Sequence, residues 1–184
     1  SVKKTIELQK ETEKKEKKWK VFYTLMFFLG LLLMLFEIFI YRITIIDVYF
    51  PISIILVIGF FAFFFNKQHY KKTYSLKGNF YPIMQNLISW GFISCYIFMA
   101  INYYLAENVT TNYRFKIKEK SSMPGSKHHR SERSPLVRFD YFGFEKELVF
   151  HFSDTEKVNS ADSVKVFVRK GGLGFDILES YDIQ

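Results

Sequence analysis

The sequence predicts a membrane α-helical fold of three transmembrane helices, followed by a small antiparallel all-β C-terminal domain. Three observations predict it. Between Val21 and Leu105 lie three long apolar runs, and both flanks are charged. From Asn112 onward, apolar and polar residues alternate with period two instead of following a helical repeat. The chain of 184 residues is 49% apolar, and 22 Phe and 12 Tyr help bring its aromatics to 20%. A soluble domain of this length does not hold three separate runs of about 20 apolar residues. A single soluble globular enzyme is therefore excluded.

The first segment, residues 1–18, is a mixed-charge basic arm. Lys3, Lys4, Lys10, Lys14, Lys15, Lys17 and Lys18 are interleaved with Glu7, Glu11, Glu13 and Glu16. Favourable pairs such as Glu11–Lys15 and Glu13–Lys17 stand four apart, which suits a helix continuous with the first span. The arm reads as a solvated, topology-setting segment, with attraction to anionic lipid as the alternative. Its apolar continuation is too long for a signal peptide, and no small-residue cleavage site follows.

The membrane domain covers residues 19–105, with spans at about 19–41, 49–65 and 80–105. The first covers roughly 33 Å at helical rise, enough for the hydrocarbon core. Pro51 and Pro82 sit near the starts of the second and third spans, where a missing N–H does no harm. Trp19, Tyr23, Tyr70, Tyr74 and Tyr81 mark one interface, and Tyr41, Tyr49, Tyr103 and Tyr104 the other. Eight lysines precede the first span, counting Lys20, while the first connection carries only Arg42 as a cation. The second connection carries Lys67, Lys71, Lys72 and Lys77. The positive-inside rule then puts the N-terminus on the cytoplasmic side of an inner or plasma membrane, and the C-terminal domain outside. Arg114, Lys116, Lys118 and Lys120, close behind the third span, pull against that orientation.

Glu37 is the one formal charge deep in a span, which marks it for a pore, for helix pairing or for snorkelling towards Arg42. Gln85, Asn86 and Asn102 could hydrogen-bond neighbouring helices. Ser89, Gly91, Ser94 and Cys95 form a small-residue patch that would let helices approach in a homo-oligomer. The second span has no polar stripe and reads as lipid-facing.

The β domain covers residues 112–184. Tyr113, Phe115 and Ile117 alternate with Arg114, Lys116, Lys118 and Lys120 in the first strand. A polar loop, Ser121–Ser134, follows. Leu136–Tyr141 is the second strand. Leu148, Phe150 and Phe152 mark the third; Val164, Val166 and Val168 the fourth. Leu173, Phe175 and Ile177 begin the fifth after the turn at Arg169–Gly172.

No catalytic constellation emerges, so no enzyme activity is expected. The lone Cys95 excludes an internal disulfide framework and a cysteine-built zinc site. Phosphate-binding glycine loops, His-Glu-x-x-His and the nucleophile elbow are absent. No cofactor and no metal are expected, since His128 and His129 sit in a Ser/Arg-rich loop and read as solvated. Asn108-Val109-Thr110 matches a glycosylation acceptor, relevant only in a eukaryotic secretory setting.

The candidate anion- or ligand-binding residues are Arg114, Lys116, Lys118, Lys120, Arg138 and Arg169. Four cations on one strand face repel one another unless anions compensate. Lipid headgroups, a protein partner or a nucleotide or oligonucleotide ligand would each serve, with Tyr113 and Tyr141 as stacking surfaces. After Leu105 the charges are 13 Lys/Arg against 12 Asp/Glu, too balanced for a general nucleic-acid binder.

In architecture alone, a few transmembrane helices joined to a small β-rich domain resembles bacterial anti-phage membrane effectors. The resemblance covers the whole chain and rests on no motif. It implies a β domain that senses a nucleotide signal and helices that perturb the membrane, and such a signal would be cytosolic. The expected function is a homo-oligomeric, channel-like or membrane-perturbing effector controlled by its β domain. The alternative is an accessory or assembly subunit whose β domain docks to a larger complex.

Overall fold

The computed structural model describes residues 2–184. The chain forms two compact units. One holds the helices through Tyr41 together with Val48–Ile101; the other joins Arg42–Asp47 to Asn102–Gln184.

Three helices are long and apolar enough to cross a membrane, as the composition predicts. Helix α1, Val2–Ile43, has 42 residues and measures about 63 Å. Its first part is exposed and charged. Its apolar part buries Tyr23, Gly30 and Glu37, each seven residues from the last, with Met26, Phe27, Leu33 and Met34 half-buried between them. That heptad spacing is the seam of a helix packed at a shallow left-handed angle. Leu25, Phe28, Leu32, Leu35 and Phe39 remain exposed, the surface a bilayer would cover.

Helix α2 runs Tyr49–Tyr74, past the end of its apolar stretch at Phe65. Lys67, Lys71 and Lys72 are therefore helical rather than part of a loop. The cap at Ser75 is left-handed, and the Ser75 and Leu76 N–H groups return to Lys72 and Lys71 carbonyls. The third span is composite: α3 (Phe80–Asn86), a π-helical segment (Leu87–Gly91) and α4 (Phe92–Tyr104).

The π segment is where the three helices approach most closely. A Cβ on Gly30 would lie 1.9 Å from the Ile88 carbonyl oxygen. One on Gly59 would lie 2.7 Å from the Leu87 Cδ2, and one on Gly91 2.8 Å from the Ile55 carbonyl. Without water between helices, such close backbone contact supplies much of the association.

The second unit is a five-stranded antiparallel half-barrel: β1 (Thr110–Met123), β2 (Ser134–Tyr141), β3 (Phe144–Val149), β4 (Ser163–Lys170) and β5 (Asp176–Ile183). The spatial order is β3-β2-β1-β4-β5. Val137, Phe139, Leu148, Val164, Val166 and Val168 point into the core, and Tyr113, Phe115 and Ile117 pack against it. The short helix α5, Thr155–Ser160, covers this core with Val158.

Two strands are displaced from their sequence expectation. β3 begins at Phe144, and Phe152 opens a 3-10 turn instead of continuing the strand. A two-residue turn makes the difference: Phe142 and Gly143 both have positive φ, and Asp140 Oδ1 accepts the Gly143 N–H at 2.6 Å. β5 begins at Asp176, leaving Leu173 and Phe175 in the preceding turn.

Gly30→Val should cost the helical unit about 3 kcal/mol, because the Ile88 backbone has nowhere to retreat. Gly78→Ala, with nothing within 4 Å of its added Cβ, is the control. Thermal unfolding in detergent should show a clear loss for the first and near-identity for the second. Equal melting of both would contradict the packing.

Candidate functional site

The residues singled out in the sequence fall into three groups. Glu37, Gln85 and Asn86 lie inside the helical unit and find partners there. The Gln85 Nε2 donates to the Tyr23 carbonyl across 2.8 Å, and the Ser89 hydroxyl donates to the Gln85 carbonyl. Asn86 and Asn66 exchange amide hydrogen bonds at 2.6 and 2.7 Å, and the Asn86 Nδ2 also donates to the Pro82 carbonyl. Glu37, only 3% exposed, shares a side-chain hydrogen bond with the fully buried Cys95. Among the described residues no buried side-chain polar atom lacks a partner. These groups act as polar ties between helices of one chain.

Asn102 belongs to the other unit. It is fully buried, and its side chain closes the β4–β5 turn. The Asn102 Oδ1 accepts N–H bonds from Leu173 at 3.1 Å and Phe175 at 3.3 Å. Its Nδ2 donates to the Phe175 carbonyl at 3.0 Å, and its own carbonyl accepts the Gly172 N–H at 2.9 Å. Residue 171 must be glycine for this approach, since a Cβ there would lie 2.2 Å from the Asn102 Oδ1.

The connection between α1 and α2 is also part of the β domain, which no sequence signal announced. Thr44 bridges Ile177 in antiparallel fashion, and the Ile45 N–H donates to the Asp176 carbonyl at 2.8 Å. Ile45 joins the β-domain core, and Thr44 and Ile46 are buried. At the same turn region the Tyr141 hydroxyl donates to Asp176 Oδ2 at 2.6 Å; burial and that bond push its ionisation well above the usual tyrosine range. The chain passes between the two units three times, at 41/42, 47/48 and 101/102. The segments entering at each passage are hydrogen-bonded to β5 or to the turn before it.

The basic strand is not one face. A bulge between Ile117 and Glu119 shifts the register of β1. Lys120 then stands opposite the inward Val137, and its ammonium donates to the Asn159 carbonyl at the end of α5, across 2.9 Å. Glu119 takes the outward position instead. There it pairs with Arg138 at 3.0 Å, and Glu147 pairs with the same guanidinium. Those carboxylates hold Arg138 above its ordinary range. Lys118 lies 3.9 Å from Glu145, and Arg169 pairs with Glu179. Arg114 and Lys116 form no ion pair among the described residues, although the Arg114 guanidinium donates to Gln184 Oε1. The expected row of four like charges is thus broken by the bulge, and of the four only Lys118 faces a carboxylate.

Among the described residues no group of three His, Cys, Asp or Glu side chains could hold a metal ion. No family model, no curated protein and no solved structure matches the chain.

Two outcomes follow from this geometry. Asn102→Ala strands two N–H groups and one carbonyl of the 171–175 turn, which should cost about 2 kcal/mol. Amide hydrogen exchange at Leu173 and Phe175 should rise roughly 30-fold while β2 amides stay unchanged. Unchanged exchange at the turn would remove Asn102 from its closure. Lys146 sits opposite the buried Phe139, and burial pulls its ionisation below the ordinary lysine value. The folded state therefore binds the proton less tightly than the unfolded one. The resulting penalty is full while the folded-state ammonium stays protonated and fades as pH rises through the folded value towards the unfolded one. Lys146→Met should raise the melting temperature at pH 7, by an amount that shrinks towards pH 10.5. A gain independent of pH would show that packing, not charge, is responsible.

Proposed function

We propose that the chain is a non-enzymatic integral membrane protein whose β domain receives a signal and whose three spans, assembled as a homo-oligomer, answer it by perturbing the bilayer. What carries the reading is that the chain enters the β domain twice, at residues 42–47 and again from Asn102. Residues 42–47 pair with β5, and Asn102 holds the turn that leads into it. A displacement of β5 is therefore felt by residues covalently joined to the end of α1, the start of α2 and the end of α4. A signal that binds one arrangement of β5 better than another biases the spans by that difference. The lysines before Val21 support an N-inside orientation in a bacterial plasma membrane, with the β domain outside. Arg114 and Lys116 are the cations left for an anionic partner.

A second reading has its own support. The polar side chains within the spans are hydrogen-bonded inside one chain, so they line no water path in this arrangement. That suits a membrane-anchored accessory subunit whose β domain docks to a larger assembly.

Reconstitution distinguishes the two. The effector reading expects an oligomer in lipid nanodiscs and dye release from liposomes. Gly171→Ala, which forces Asn102 off the turn, should change that release about tenfold, within the usual range of coupling energies. A monomer that leaks no dye would overturn the effector and leave the docking subunit.

A further inference from the structure

The half-barrel leaves one seam open, between the edge strands β3 and β5. Tyr181 bridges it, its hydroxyl donating to the Val149 carbonyl at 2.7 Å. Beside this strap lies a cleft of about 460 Å³, built from the ends of β3 and β5, the start of β2 and helix α5. That volume falls in the range of small-molecule sites, roughly 300–1,000 Å³.

The lining is unusual in its charges. Asp154 and Asp182 supply two carboxylates, Lys157 an ammonium and His151 an imidazole. None of the four forms an ion pair with a described residue. Asp182 accepts only its neighbour's N–H, from Ile183 at 2.8 Å. Lys165, opposite Asp182 in the sheet, directs its ammonium over the Phe167 ring instead, 5.2 Å from the centroid. Elsewhere in this unit Lys118, Arg138, Arg169 and His129 lie against carboxylates. The cleft thus keeps charges of both signs facing one space without neutralising each other. Its wall is aromatic: Phe150 and Tyr181 meet edge to face at 5.1 Å, with Tyr181 exposed along the opening.

We propose that this cleft binds a zwitterionic small molecule of amino-acid or dipeptide size. Asp154 and Asp182 would take its cationic end, Lys157 and His151 its anionic end, and the Phe150–Tyr181 pair its apolar or planar part. A ligand with both charges satisfies the cleft at once. One with a single charge engages one side of the cleft only and forgoes the ion pairs of the other. The site deepens the proposed function, because Tyr181 and Asp182 lie on β5, the strand that pairs with residues 44 and 45. Occupancy of the cleft is then the signal that β5 carries.

Calorimetric titration of the full chain in lipid nanodiscs tests it, with phenylalanine and phenylalanylglycine as probes. Saturable binding of at least one of them, one per chain, is expected. Phenethylamine and 3-phenylpropionate, each lacking one charge, should bind about tenfold more weakly or worse. Asp154→Asn and Lys157→Met should each weaken the zwitterion about tenfold while leaving the melting curve of the unliganded chain unchanged. The proposal is overturned if neither zwitterion binds, if the single-charge analogues bind as tightly, or if both variants bind like the parent chain. Binding that leaves dye release unaltered would uphold the site and defeat the effector reading alone.

Discussion

A buried amide must find partners for both its oxygen and its nitrogen, and Asn102 finds them in a turn about 70 residues further along the chain. That requirement joins the last turn of α4 to the start of β5. The same strand receives Thr44 and Ile45 from the connection between α1 and α2. Residues 42–47 and Asn102 of the second unit therefore meet on β5 or on the turn before it. Gly171 is the local condition for it, since any side chain there would occupy the space of the Asn102 amide.

The helical unit answers a related constraint differently. Away from water an unpaired polar group is costly, and among the described residues every buried side-chain polar atom within the spans has a partner. Gln85 reaches the Tyr23 backbone, Asn86 faces Asn66, and Glu37 faces Cys95. Gly30, Gly59 and Gly91 bring the backbones close enough for these bonds to form around the π segment. The unit is held by small residues and polar ties spread along the spans, while many of its large aromatic and aliphatic side chains remain exposed.

The architecture was legible because it depends on periodicity and run length, both one-dimensional properties. Three apolar runs became three long helices, and alternating residues from Tyr113 to Ile117 became a half-buried strand. What was illegible depends on register or on distant partners. The alternation through Lys118 and Lys120 gives no hint of the bulge that sets Lys120 opposite Val137. Phe150 and Phe152 fit a strand pattern, yet the positive-φ turn at Phe142–Gly143 had already set β3 earlier. Asn102 looks like an interhelical residue until residues 171–175 are placed beside it. The connection at residues 42–47 is too short for its burial to show as a pattern. The cleft between β3 and β5 brings His151 and Asp154 to Asp182, which only the curl of the sheet achieves.

The account stands on the first connection being part of the β domain. Disulfide trapping of Thr44→Cys with Ile177→Cys tests that directly, in the full chain embedded in lipid, with Cys95→Ser to remove the native thiol. Directly opposed antiparallel residues bring their Cβ atoms within about 5.5 Å, close enough for a bridge after slight adjustment. Rapid and nearly complete cross-linking under mild oxidation is predicted for this pair, with none for Thr44→Cys paired with Met123→Cys, at the far end of β1. If the 44–177 pair stays reduced while the protein is folded in its bilayer, the connection is not woven into the sheet, and the proposed coupling of β5 to the spans fails with it.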